Sequence, residues 1–228
     1  MKSILTIATF ALLGSAGWSQ DTTPTASALT NLEGTTGMNT TYGPTGLINV
    51  PSAFTARFGE ARIGGSWGKD LSGPSLNYGI LRWFEVGAVV LDRNNMSNKT
   101  LATGKVTIIP NNFDWLTIGI GTIDPFDAIN STFYVMGSAD INSAGFGSSS
   151  ASTPIGLRLH FGVGSGIFRE RLIGGAEVLF SDRFSIIGEY DAKNFNTSLR
   201  YKSSNDVQLQ AGIRDKGIFL GITSSVRF

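Results

Sequence analysis

The chain ends in an unbroken two-residue alternation. Ile218, Leu220, Ile222, Ser224, Val226 and Phe228 fall on one face of an extended backbone, and Phe219, Gly221, Thr223, Ser225 and Arg227 fall on the other. A period of two over that length excludes a helix. It describes a strand with a mostly apolar side and a more polar side, as in a wall between lipid and a polar interior, or in a sheet between a core and water.

The same division recurs upstream. Leu157, Leu159, Phe161 and Val163 oppose Gly156, Arg158, His160 and Gly162; Thr197, Leu199 and Tyr201 oppose Ser198, Arg200 and Lys202; Val207, Leu209, Ala211 and Ile213 oppose Gln208, Gln210, Gly212 and Arg214. Reading every such run predicts strands at 60–68, 75–81, 84–91, 100–108, 114–122, 131–139, 155–164, 171–180, 183–191, 194–202, 206–214 and 217–227. That is about 12 strands, most near the ~9–11 residues a tilted strand needs to span a bilayer. The expected fold is all-β, an antiparallel up-and-down transmembrane β-barrel.

Composition separates lipid from water as the apolar face's neighbour. With 29 Gly, 15 Phe, 15% charged residues and a mean hydropathy of +0.08, the chain is too apolar for a disordered secreted tract and too polar for a helical membrane protein. Aromatic residues (Trp67, Trp83, Phe84, Trp115, Phe180, Phe184, Phe195, Tyr201) collect near expected strand ends, as in the interfacial girdles of barrels.

The amino terminus sets the compartment. Lys2 precedes an apolar run from Ile4 to Leu13, and Gly17 and Ser19 are small enough for signal-peptidase cleavage, so residues 1–19 are expected to be a cleaved signal peptide. Residues 20–42, rich in Thr and Ser without an apolar period, read as a flexible tail, and 43–228 as the barrel. The absence of Cys rules out disulfides and a lipidated Cys, and a net charge of +1 gives no nucleic-acid footprint. A bacterial outer membrane, with outer-membrane lipid as the surroundings, is the expected location.

Tight connections are expected at Ser181-Asp182, Ala192-Lys193, Ser203-Ser204-Asn205 and Asp215-Lys216, all assigned to one end of the barrel, with 92–99 and the Gly/Ser-rich 142–154 as external loops. Asp124 and Asp127 read as turn formers rather than calcium ligands. Segment 43–58 either enters the lumen as a plug or simply leads into the first strand.

The parity of the strands turns Arg158, His160, Glu177, Glu189, Arg200, Gln208, Gln210 and Arg214 toward the lumen. Such residues could orient hydrated polar solutes such as sugars, or they could fill a small barrel and neutralise one another. No catalytic group is assigned. The single histidine excludes metal sites built on several His, no nucleophile motif surrounds any Ser, and the glycine-rich GIGTI and GVGSG precede no helix pattern. No enzyme activity, metal or other cofactor is expected.

Several ordered motifs carry a resemblance. GPTGLINVPSA at 43–53, ARIGGSW at 61–67, GIGTID at 119–124, FYVMGSAD at 133–140, RLHFGVGSG at 158–166 and IIGEYDAKNFNTSLRY at 186–201 together resemble the YjbH-like family, most specifically in 46–52 and in Glu189-Tyr190-Asp191 with Asn194 and Leu199-Arg200-Tyr201. The resemblance implies a compact outer-membrane barrel supporting exopolysaccharide production or export, with polysaccharide or export proteins as partners. The terminal Phe228 likewise resembles the insertion signal read by the barrel assembly machinery. Two other readings stand beside it: a narrow passive channel for small hydrophilic solutes, and a soluble β-sandwich or ligand-binding barrel.

Overall fold

A computed structural model describes residues 38–93, 97–108, 116–141, 156–181, 183–203 and 206–228. Twelve strands form one closed antiparallel barrel: β1 (Glu60–Gly68), β2 (Leu71–Leu81), β3 (Phe84–Arg93), β4 (Lys99–Ile108), β5 (Leu116–Ile123), β6 (Thr132–Asp140), β7 (Gly156–Gly164), β8 (Arg171–Leu179), β9 (Phe184–Tyr190), β10 (Phe195–Lys202), β11 (Val207–Arg214) and β12 (Gly217–Arg227). Each pairs with its neighbours in sequence, and β1 closes on β12 with Glu60 opposite Arg227 and Gly68 opposite Phe219. Closure removes both sheet edges, which a lipid environment would leave without hydrogen-bond partners.

Alternation decides which side chain faces where. Ile186, Leu199, Leu209, Ile213, Leu220 and Phe161 stand exposed on the outside, whereas Ser185, Ile187, Glu189, Ser198, Arg200 and Gln210 of the same hairpins are buried inside. The outer surface is therefore apolar and the wall's inner surface hydrogen-bonding, the reverse of a water-soluble sheet protein.

Strand β2 begins earlier than its apolar run. Gly73-Pro74 reads as a turn in sequence, yet both lie within the strand. Pro74 faces Gly65 of β1, and neither Gly73 nor Pro74 pairs with β3. A Cβ on Gly73 would lie 1.7 Å from the Val90 carbonyl oxygen, so only glycine permits this approach.

The tight connections do not share one end. In a meander successive strand ends must alternate, so β8 and β10 end at the barrel end where β1 begins and β12 ends, the terminal end, and β9 and β11 end at the opposite one. The stretch 142–154 lies outside the described residues.

Segment 38–58 enters the lumen and leaves it at Phe58, which is exposed at the rim. Met38, Leu47, Ile48, Val50, Ala53 and Ala56 are at most 2% exposed. The inserted stretch includes Met38 to Tyr42, which the Thr-rich composition assigns to the tail. A barrel of eight strands can be filled by its own side chains, but twelve strands enclose a wider space, which water or polypeptide must occupy.

Candidate functional site: a barrel lumen closed by its own chain

The segment is held by the ions of the wall. Glu189, near the end of β9, accepts backbone N–H groups from Ile48 at 2.9 Å, Asn49 at 2.8 Å and Val50 at 3.1 Å, and the Asn196 side-chain amide at 2.9 Å. The Asn49 side chain donates to Asp191 at 2.7 Å. Three successive amides converging on one carboxylate form a nest, a geometry suited to an anion. Glu189 thus serves as the anion of a loop it meets only after the barrel has closed.

Across the lumen Glu85 of β3 accepts the N–H groups of Thr45 at 3.1 Å and Ala56 at 2.6 Å, with the Lys105 ammonium 3.6 Å away. Lys105 donates to the carbonyl oxygen and the hydroxyl of Thr45. Arg200 bonds the carbonyls of Gly46 at 3.0 Å and Leu47 at 2.9 Å, and pairs with Glu177 at 3.3 Å. Glu177 also lies 3.7 Å from Arg158, which reaches Asp140 at 3.4 Å. At this depth an ion stripped of partners is expensive, and the insert's backbone dipoles supply several of them.

A second layer lies toward the end opposite the terminal one, where β1 ends and β12 begins. Leu91, Leu101, Ile123, Ile173 and Phe219 project inward near that end, and Phe168, from the connection after β7, packs over them. The insert's tip residues Leu47, Ile48 and Val50 enter the same cluster. This apolar layer and the charged layer close the lumen by different means, one by excluding water and the other by pairing.

All eight lumen candidates read from strand parity lie inside and none is more than 6% exposed. Glu177, Arg158, Arg200 and Gln210 form one connected group, Gln210 accepting from Arg200 at 3.3 Å. Arg214 sits apart, donating to Thr41 at 2.7 Å and lying 5.5 Å from the centre of the Phe219 ring. Gln208 is opposite Lys202 on the terminal side and joins none of these contacts. His160 Nδ1 is 2.8 Å from the Ser138 hydroxyl, which also accepts the Ala53 N–H at 2.9 Å. This Ser–His pair is buried beneath the insert, 1% and 3% exposed. Phe228 lies on the outer rim, its N–H donating to Gly59 at 2.9 Å.

Sequence reasoning overlooked Glu60, Arg62, Glu85 and Lys105. Each carries the signal that marked Arg158, a charge on the inward parity of an otherwise apolar alternation. Asn39, which contacts the Arg62 carbonyl and Ser75, was hidden inside a tract read by composition alone. Among the described residues no group of three or more His, Cys, Asp or Glu could hold a metal ion, and no helix is long and apolar enough to cross a membrane. Asp124 accepts the N–H groups of Ala128, Ile129 and Asn130 within its own turn.

An apolar exterior around a closed twelve-strand antiparallel wall with polar groups inside defines an up-and-down β-barrel of the inside-out kind. No family model matches the chain, and no curated protein does. Among solved structures it is similar to a KdgM porin (TM-score 0.48, 14% identity, 74% of this chain and 99% of that one) and to the KdgM porin in complex with disordered oligogalacturonate (TM-score 0.48, 13% identity, the same coverage). A third similarity is to the N-terminal β-barrel domain of Pseudomonas aeruginosa OprF (TM-score 0.22, 10% identity, 74% and 96% covered). The YjbH-like resemblance stands on its motifs alone.

Proposed function

We propose that this chain is an outer-membrane barrel that rests closed on its own segment 38–58 and passes small hydrophilic solutes when that segment withdraws. The supporting observation is how the segment is held at Glu189, Glu85, Arg200 and Lys105. These groups bind backbone amides and carbonyls, which water can replace group for group. The apolar layer at the tip biases the equilibrium toward the closed state, because withdrawal would wet Leu47, Ile48 and Val50. Delivery by the barrel assembly machinery, with Phe228 as its signal, belongs to the same proposal.

Planar-bilayer recording tests it. The wild type should be silent, and the double variant Glu85→Ala/Glu189→Ala should show discrete conductance steps. A wild type that conducts steadily, or a heat-modifiable double variant that stays silent, would overturn the proposal.

A second reading, support of exopolysaccharide export, rests on the motif resemblance. Its two most specific pieces, 46–52 and Glu189 with Asp191, meet in one contact of this chain. Deletion of the gene with surface glycan unchanged would remove this reading.

A further inference from the structure

A ring of strands made from one chain has one strand pair that no turn joins. Here it is β1 with β12, which meet only through the pairing that runs from Glu60 opposite Arg227 to Gly68 opposite Phe219. A hairpin turn keeps its two strands together, whereas strands from distant parts of a chain must first close a long loop. The seam is therefore where the wall should part first, and a tie across it from another element stabilises the whole ring.

Asn39 of the inserted segment ties the seam toward the terminal end. Its N–H donates to the Thr223 hydroxyl of β12 at 3.3 Å, and its side-chain amide donates to the Arg62 carbonyl of β1 at 3.1 Å and the Ser75 hydroxyl of β2 at 3.0 Å. The Asn39 amide oxygen accepts from the Asn77 side chain of β2 at 2.8 Å. One buried residue thus holds three adjacent strands. Small inward residues make the room: Gly64 stands opposite Thr223 and Ser66 opposite Gly221, and a Cβ on Gly221 would meet the Met38 Cε at 3.4 Å.

Arg214 ties the seam toward the opposite end. It projects from β11, passes over β12 with its guanidinium 5.5 Å from the centre of the Phe219 ring, and donates to the Ser66 hydroxyl of β1 at 3.4 Å and to the Leu71 carbonyl at the start of β2. A Cβ on Gly68 would lie 2.5 Å from the Arg214 Nη2, so glycine at that seam position admits the guanidinium. The same group donates to Thr41 at 2.7 Å, two residues after Asn39, and the two ties are thereby joined through the insert. Arg200 makes comparable ties to Glu177 of β8 and Gln210 of β11, but turns already join those strands.

We infer that Asn39 and Arg214 are positioning residues that lock the β1–β12 seam from inside, so that the inserted segment fastens the wall as well as filling it. The lock operates whether or not any solute passes the lumen.

The chain has no Cys, so an introduced pair is unique. Full-length wild type and Asn39→Ala/Arg214→Met are compared in detergent micelles, each carrying one of two pairs. Ile63→Cys/Ser224→Cys lie opposite one another on the outer face of the seam, and Leu199→Cys/Ala211→Cys lie opposite on the outer face of the turn-joined β10–β11 pair. Reduced, the double variant should lose its heat-modifiable folded band at a lower temperature than the wild type. Oxidation of the seam pair should abolish that difference, and oxidation of the β10–β11 pair should leave it. No difference when reduced, one that survives the seam cross-link, or one that both cross-links abolish overturns the lock. Hydrogen exchange on the single variants decides the matter if the double variant does not fold. Asn39→Ala should speed exchange about tenfold in 62–64 and 223–225, and Arg214→Met in 66–68 and 219–221, with β5 at the wild-type rate. Acceleration spread evenly over the wall, or none at the seam, overturns the lock.

Discussion

Glu189 accepts the backbone N–H of Ile48 at 2.9 Å although 141 positions separate the two in sequence. This contact joins the last part of the wall to the tip of the inserted segment, and it exists only when the barrel is closed around that segment. Replacing Glu189 by Ala strands three backbone amides and the Asn196 side chain without this acceptor. At about 1–3 kcal/mol for each buried orphan, less whatever water recovers, the variant should lose about 3–5 kcal/mol. Urea denaturation in detergent micelles measures that loss.

Arg200 neutralises Glu177 and holds two insert carbonyls. Arg200→Met should cost about 3–5 kcal/mol, because it leaves a buried carboxylate with the more distant Arg158 as its charged neighbour. Adding Glu177→Gln should recover a large part, since an uncharged Gln can still accept from Ser185, which donates to Glu177 at 2.7 Å. A double variant as unstable as the single one would show that the ion pair is not the source of the loss.

Two glycines separate the insert from the wall. A Cβ on Gly46 would lie 2.4 Å from the Val50 carbonyl oxygen and 2.7 Å from the Pro51 Cα, both backbone atoms that cannot turn aside, whereas nothing lies within 4 Å of one on Gly188. Gly46→Ala should destabilise by about 2–3 kcal/mol through displacement of the tip. Gly188→Ala should be neutral or stabilising by about 0.5 kcal/mol. Thermal shifts of heat-modifiable gel bands would rank the two.

Ion selectivity follows from the wall charges. The charged inner-face residues include Arg62, Lys105, Arg158, Arg200 and Arg214 against Glu60, Glu85, Asp140, Glu177 and Glu189. The Glu85→Ala/Glu189→Ala variant removes two of the carboxylates, so its conductance should favour anions. Reversal potentials in a KCl gradient report the sign, and adding Lys105→Met/Arg200→Met should return the value toward zero.

Trp67 and Trp83 stand exposed on the outer surface at opposite ends of the wall. In single-Trp variants, brominated lipids should quench both, more strongly from acyl positions near the headgroup than from the chain ends. Unquenched fluorescence in both would favour a water-soluble barrel.

The strands were legible because a wall strand declares itself locally. Every second residue of 206–214, and of 217–227 all but Ser224, is apolar, and no distant partner is needed to read that. The same parity located Arg158, Glu177, Glu189 and Arg200 inside, and it would have found Glu85 and Lys105 had it been applied to β3 and β4. Strand β2 was shortened because Gly73-Pro74 has turn chemistry, which the neighbouring β1 pairing overrides.

Segment 38–58 was not legible in the same way. Thr40, Thr41 and Thr45 form no apolar period, and Leu47, Ile48 and Val50 alone suit either a lead-in or a plug. Their place depends on a lumen made by all twelve strands and on carboxylates contributed by β3 and β9. Sequence by itself determined the wall: about how many strands, their order and which face of each turns outward, since period-two sterics and hydrophobicity act between adjacent residues. Only the tertiary structure decided that the lumen is filled and by what, because closure and register bring Glu189 to Ile48 and Glu85 to Thr45, and those distances do not exist until the ring is complete.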